Sequence, residues 1–445
     1  MEKVSVRFDR KIGPMKPVHG VNNGPKTRMF SLDMSRYFRD AGIPYARLHD
    51  TEYPYGSGHF VDIPCVFPDF SADPADPGAY DFTLTDQYIE AIVAVGTQVF
   101  YRLGVSIEHA RKKYEIFPPE DFAKWAQICI GIIRHYTEGW ADGYRYPIEY
   151  WEIWNEPENP PMWQGTKEQY FDLYATAAQA IKARFPQLKV GGYAGCGFYA
   201  LTRDNQSDFY KGFVSYFTDF LDFISASSGR IPLDFYSWHL YTTSVAEMAA
   251  HADYVRQTLD RFGFTGTESI INEWNYVHAD PDRFKRMKKM EAAAFDAAVL
   301  CALQSGPVDM GNYYDAQPNM RYCGLFDYEE AKKPYYAFYA FNCLYRLQAQ
   351  TETKCAEPGV YACAAANDSE AAVLVAMQKE TSGKLLIDMA GFCSDEGVEA
   401  EFYMLDETFD LELVRSETFF STQFKSVLDV TRDAVVLVKL RRASK

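Results

Sequence analysis

The chain has 445 residues, with 61 acidic and 45 basic side chains and a formal charge of −16. A hydrophobic content of 47% excludes wholesale disorder, and the negative balance counts against nucleic acid or an anionic membrane as partner. Nine scattered cysteines without a C-x-x-C spacing argue against a zinc site or a disulfide framework. From the N-terminus, Lys3–Phe8 (KVSVRF) alternates as a strand. The opening MEKVSVRFDRKIG has no apolar run, so no signal peptide is expected and the reading is a cytoplasmic protein. Strand-like runs then recur near Pro17–Val21, Tyr45–Leu48, Gln98–Leu103, Tyr150–Trp154, Lys189–Tyr193, Phe235–His239, Ser269–Asn272 and Gly311–Tyr314. Helical patterns follow most of them: Leu84–Val95, Pro119–Tyr136, Thr166–Phe185, Asp282–Gln304 and Tyr335–Leu347. Thr166 and Gln169 fit a capping box. The alternation predicts an α/β fold, a closed (β/α)8 TIM barrel over residues 12–348. An open doubly wound sheet is the alternative, weakened because no Gly-rich dinucleotide fingerprint occurs. Beyond residue 348 come short strands: Val360–Ala366, Ala371–Met377, Lys384–Ala390, Val398–Leu405, Phe409–Val414 and Val435–Leu440. They predict an antiparallel β-sandwich over 349–445, to which the N-terminal residues 1–11 add a strand.

Barrel chemistry sits at the C-terminal ends of the strands. The fourth strand ends Trp151-Glu152-Ile153-Trp154-Asn155-Glu156-Pro157, and the seventh ends Ile271-Asn272-Glu273-Trp274-Asn275. A carboxylate in an apolar strand is costly unless paired or functional. One such Glu could cap a helix or pair with an Arg; two at one barrel mouth suggest acid–base work. Glu152 lies further back and is expected to pair inside the barrel; Glu158, past Pro157, is expected in a loop. Glycoside hydrolysis is the chemistry that needs two carboxylates, one to protonate the leaving oxygen and one to attack carbon or activate water.

Asn155-Glu156-Pro157 after a Trp-rich strand, with a second Glu ending the seventh, resembles clan A glycoside hydrolases and more narrowly family 39, which contains β-xylosidases and α-L-iduronidases. The resemblance spans nearly the whole chain. It implies Glu156 as general acid/base, Glu273 as nucleophile, retention through a covalent glycosyl-enzyme, and Asn155 bonded to the sugar 2-hydroxyl. Arg47-Leu48-His49-Asp50 is similar to the family's Arg-x-His, whose His touches a sugar hydroxyl. His239 and Tyr241 match the clan's sixth strand, and Tyr241 could hold the nucleophile ionised. The family's β-xylosidases carry a Glu-Glu pair after the eighth strand. Here Tyr313-Tyr314-Asp315-Ala316-Gln317-Pro318-Asn319 follows, and Glu329-Glu330 come too late to equate with it.

With 32 Phe, 32 Tyr and 7 Trp, the chain has aromatics to spare for sugar platforms. Trp154, Trp163, Trp274, Tyr276, Tyr313 and Tyr314 lie near strand ends, with Trp274 and Tyr314 the preferred contacts. The long Thr51–Tyr80 loop is a candidate lid. The expectation is thus an exo-acting retaining glycosidase, β-xylosidase-like, on short oligosaccharides. It needs no cofactor and no metal, and a homo-oligomer is left open. An arabinoside, galactoside or uronide, endo action, or a non-catalytic carbohydrate-binding barrel are the alternatives.

Overall fold

Eight parallel strands close into a barrel in the computed structural model, which describes every residue except 28–31, 52–57, 205–206, 227–229, 319–320, 380, 395–396 and 444–445. Strand β1 (Glu2–Pro14) leads into the barrel strands β2 (Gly20–Asn22), β3 (Tyr45–Leu48), β4 (Gln98–Leu103), β5 (Tyr150–Ile153), β6 (Lys189–Gly195), β7 (Phe235–Thr242), β8 (Glu268–Tyr276) and β9 (Met310–Tyr313). The ring closes where Gly20 and Val21 pair with Asn312 and Tyr313. Between and after the strands lie α1 (Ser35–Asp40), α2 (Ile63–Val66), α3 (Thr83–Ala94), α4 (Phe122–Thr137), α5 (Lys167–Arg184), α6 (Asp208–Ala226), α7 (Val245–Arg261), α8 (Arg283–Arg286), α9 (Met290–Ser305) and α10 (Lys333–Tyr345). A two-strand hairpin, β10 (Phe326–Asp327) with β11 (Glu330–Ala331), precedes α10. Among the described residues no helix is long and apolar enough to cross a membrane.

Local chemistry explains the helix boundaries. The capping box of α5 is complete, with Gln169 N donating to Thr166 Oγ1 and Thr166 N to Gln169 Oε1. α4 starts three residues after Pro119 because Asp121 caps it, accepting from Lys124 N at 3.0 Å. The single helix expected over 282–304 is two, because Lys289 is extended and breaks the run. α6 and α7, which were not among the expected helices, fill the crossovers after β6 and β7. In the Thr51–Tyr80 segment, residues 52–57 lie outside those described; the remainder holds α2 and a turn at Pro77–Ala79.

The barrel interior is layered. Its floor is an apolar plug of Phe100, Tyr150, Phe235, Ile270 and Met310. Above it lies a polar layer of Asn22, Arg47, Glu152, Ser237 and Asn272, all fully buried and mutually hydrogen-bonded. The layer carries charge into the barrel without leaving it unpaired.

The C-terminal strands are β12 (Ala349–Cys355), β13 (Val360–Ala366), β14 (Glu370–Gln378), β15 (Gly383–Ala390), β16 (Val398–Leu405), β17 (Asp410–Phe419), β18 (Gln423–Val430) and β19 (Asp433–Arg442). With β1 they form one nine-stranded sheet, ordered β17-β16-β19-β14-β13-β12-β1-β15-β18. Its two edge strands meet where Arg415 donates to the Val427 carbonyl and Ser426 to Glu417, so the sheet curls into a sandwich. Val4, Val6, Ile387, Phe402 and Val436 fill the fold. The outer face lies on α9 and α10, where Cys363, Leu374 and Leu437 join the barrel core. Two points differ from expectation: β12 and β18 are additional strands, and β1 runs parallel to β15 rather than antiparallel.

Candidate active site

Backbone irregularities at two strand ends turn the key side chains inward. After β5, Trp154 (φ 70°) and Glu156 (φ 44°) occupy the left-handed region, and Glu156 N donates to the carbonyls of Tyr193 and Ala194. Between β7 and β8 the register slips, giving β8 one extra residue before Glu273. Asn272 and Glu273, though consecutive, therefore both face the interior.

Glu273 is 4% exposed. Its Oε1 accepts from Arg47 Nη1 at 2.7 Å and its Oε2 from the Tyr241 hydroxyl at 2.6 Å. Arg47 is fully buried and also donates to Glu152 (2.7 Å), Asn22 (3.0 Å) and Asn155 Oδ1 (2.6 Å). Asn155 thus keeps its amide nitrogen for a ligand. Opposite, Glu156 Oε1 lies 2.7 Å from His239 Nδ1, and Asn159 donates to Oε2 at 2.8 Å. Ligand atoms of Glu156, His239 and Glu273 all lie within 4.8 Å of one another. They are the group among the described residues able to converge on a cation. Arg47, 2.7 Å from Glu273, opposes that use electrostatically.

Burial pushes the Glu273 carboxyl above its ordinary value, against the opposing pull of His239, Arg47 and Tyr241. Burial acts the same way on Glu156, but the hydrogen bond and charge of His239, with Asn159 and Cys196, bring it below its ordinary value. Glu158 is raised to about 8 by burial and by the charge of Glu156; its Oε1 accepts from Cys196 N at 2.6 Å. It lies in the loop after β5, as expected, with its carboxyl turned inward.

The cleft above these groups has a volume of about 710 Å³. His49, Asp50, Asn155, Glu156, Tyr241, Glu273 and Tyr314 line it. His49 Nε2 lies 3.5 Å from Asp50 and 3.7 Å from Glu273. Asp50, in the left-handed region at φ 51°, accepts from the Tyr314 hydroxyl at 2.8 Å and from Ile107 N at 3.0 Å. A larger hollow of about 1080 Å³, beside Arg39, Asp40 and Arg346, lies away from the converging carboxylates.

Trp274 does not reach the cleft. With Glu273 turned inward, its neighbour must point outward, and the Trp274 ring stacks on Phe338 of α10 and against Tyr313. Trp154 and Trp163 pack on each other, Tyr313 is buried beside Phe338, and Tyr276 bonds Glu291. Of the six aromatics expected at the sugar, only Tyr314 lines the cleft, joined by Tyr241 and Tyr322. Glu329 and Glu330 sit exposed at the β10–β11 hairpin, and Asn319 lies outside the described residues. Arg47 and Asp50, to which the sequence reading assigns no role, are central. A charge mid-way along an apolar strand was the signal for Arg47.

Against solved structures the whole chain superposes on a glucosidase from Croceicoccus marinus (TM-score 0.82, 22% identity, 100% and 99% of the two chains). It also superposes on a GH39 enzyme from Xanthomonas axonopodis pv. citri (TM-score 0.73, 17% identity, 99% and 97%). In sequence it is 28% identical over 241 residues to a β-xylosidase from Geobacillus stearothermophilus, covering 51% of this chain and 43% of that one. A β-xylosidase from Caldicellulosiruptor saccharolyticus is 27% identical over 179 residues, or 38% and 32%. The chain thus matches less than half the length of these curated relatives. The model of glycosyl hydrolases family 39 matches residues 34–355, most of the chain including every strand of the barrel from β3 to β9, and the chain belongs to that family.

Proposed function

We propose that this chain is a retaining glycoside hydrolase, β-xylosidase-like and exo-acting on short oligosaccharides, with Glu273 as nucleophile and Glu156 as general acid/base. The observation that carries it is two carboxylates with ligand atoms within 4.8 Å at the mouth of the barrel, one of them held by Arg47 and Tyr241. Carboxyl separations of about 5–5.5 Å suit retention, whereas inversion needs room for a water. Glu273 attacks the anomeric carbon, forming an ester as the glycosidic C–O bond breaks. Glu156 gives its proton to the departing oxygen, then takes one from the water that cleaves the ester. Asn155 offers its amide to the sugar 2-hydroxyl. A cavity of about 710 Å³ suits a few sugar units better than a long polymer.

Burial raises the Glu273 carboxyl while His239 lowers that of Glu156, the reverse of the order the first step needs. Arg47 and Tyr241 both donate to Glu273, so a proton there competes with them for the oxygens. On Glu156 a proton meets His239 Nδ1, which accepts it in the Nε2–H tautomer. The pair titrates as a unit, and the working form is the one with its proton on Glu156.

Nitrophenyl glycosides of xylose, arabinose, galactose, glucose and uronic acids test the reading. The chain should hydrolyse at least one, and Glu273→Ala should lose essentially all activity. Glu156→Ala should spare activated leaving groups far more than poor ones. Equal losses on both would remove Glu156 from the acid role. A second sugar class is favoured by one observation: Asp50 and Tyr314 stand in the cleft of a chain that lacks the Glu-Glu pair of β-xylosidases. A site built on different acceptors selects a different hydroxyl pattern.

A further inference from the structure

Charge in the cleft is sorted by depth. Its floor holds the buried carboxyls of Asp50 and Glu273 and the partly buried one of Glu156. Its rim holds two cations: Arg283, half-buried on α8, and Arg321, exposed in the segment after β9. Among the described residues neither guanidinium has a carboxylate within 4.0 Å, in a chain with 61 acidic side chains. Arg286, one turn further on, shows the contrast: it pairs with Asp280 and Glu291, each at 2.5 Å. An aromatic wall links rim to floor. The Arg283 guanidinium lies 4.8 Å from the centre of the Phe284 ring, Phe284 lies 5.2 Å from Tyr322, and Tyr322 lies 5.7 Å from both Tyr241 and Tyr314.

We propose that the rim binds an acidic group, a carboxylate or a sulfate ester, on the leaving-group side of the scissile bond, while the floor takes a neutral sugar. This deepens the glycosidase reading and rests on it for the direction of the substrate. A carboxylate at the floor would face three acidic groups, whereas at the rim it meets two unpaired guanidiniums whose planar donors match carboxylate and sulfate geometry. A net charge of −16 repels anions at long range, so unpaired cations at the rim are where an anionic group gains most.

The test uses aryl glycosides of one sugar: the 4-nitrophenyl parent and its 3-carboxy and 3-sulfo derivatives, the sulfonate standing in for a sulfate ester, beside a 4-nitrophenyl glucuronide with the acid on the glycone. The sugar is the one the chain hydrolyses fastest, or xylose if it hydrolyses none. Binding is measured by calorimetry in the Glu273→Gln variant, with and without Arg283→Gln/Arg321→Gln. The 3-carboxy or 3-sulfo compound should bind about 10-fold tighter than the parent at low salt and less so at high salt. The larger of the two gains identifies the group. The advantage should fall to within about twofold in the double Gln variant and persist in part in Arg283→Lys/Arg321→Lys. Circular dichroism verifies that each variant is folded. Equal binding of acidic and neutral compounds, or an advantage for the glucuronide instead, overturns the proposal. No turnover of any glycoside, with charge-dependent binding intact, overturns the glycosidase reading and leaves the rim site standing.

Discussion

Tyr241 and Arg47 occupy the two oxygens of Glu273 from opposite sides. Removing either weakens the carboxylate form relative to the acid. Tyr241→Phe should therefore lower kcat by about 10- to 1000-fold, a range set by one hydrogen bond to a charged group in a dry site. It should also move the acid limb of the pH–rate profile upward. An unchanged acid limb would show that Tyr241 only packs. The proposed catalytic pair is the part of the site most legible in the sequence, because Glu156 just past β5 and Glu273 within β8 stand out against apolar neighbours. Trp274 is the counter-example. It sits beside Glu273 in the chain, but the extra residue in β8 decides which side chains face inward. Nothing in a string of letters announces a register slip, so the aromatic neighbour falls on the helix side.

At the scale of elements, α7 is anchored by Glu247 in its first turn. Its carboxylate accepts from Arg203, Thr202 and Thr242, and Arg203 also donates to the Tyr241 carbonyl. These bonds tie the start of α7 to the strand end that carries Tyr241. They also depress the Glu247 carboxyl, against burial, to about 2. A depressed carboxyl stabilises the fold above its unfolded value and stops doing so as pH falls through its folded value. Glu247→Gln should cost about 1–2 kcal/mol near neutral pH. That loss should shrink as pH falls from about 4.5 toward 2, read from melting curves across the range. A pH-independent loss would mean shape rather than charge. The α5 box was readable because Thr166 and Gln169 stand at the diagnostic spacing. α6 was equally legible, since Phe213, Tyr216, Phe217, Phe220, Leu221 and Ile224 recur at helical spacing, although no helix was expected there. β18 alternates buried and exposed residues cleanly, yet its polar neighbours read as a loop.

For the whole molecule, two inward carboxyls set a pH limit. Burial raises Glu158 and Asp315, each to about 8. In the unfolded chain both would ionise near about 4. Between those values the unfolded state has released protons that the folded state keeps, so stability declines as pH rises. Glu158→Gln should match the native chain near pH 4 and melt progressively higher than it toward pH 8, by calorimetry; parallel curves would refute this. Barrel and sandwich were both legible in the order of strand and helix patterns, but the order of strands within the sheet was not. Pairing of β1 with β12 and β15 depends on contacts hundreds of residues apart, which no local pattern encodes. That placement has a consequence for synthesis. Strand β1 fits between two strands that follow the entire barrel in sequence, so during synthesis it waits unpaired while the barrel forms. Five lysines and arginines and two acids along Glu2–Lys16 keep that waiting edge soluble. The sheet then closes last, around a segment that precedes the barrel.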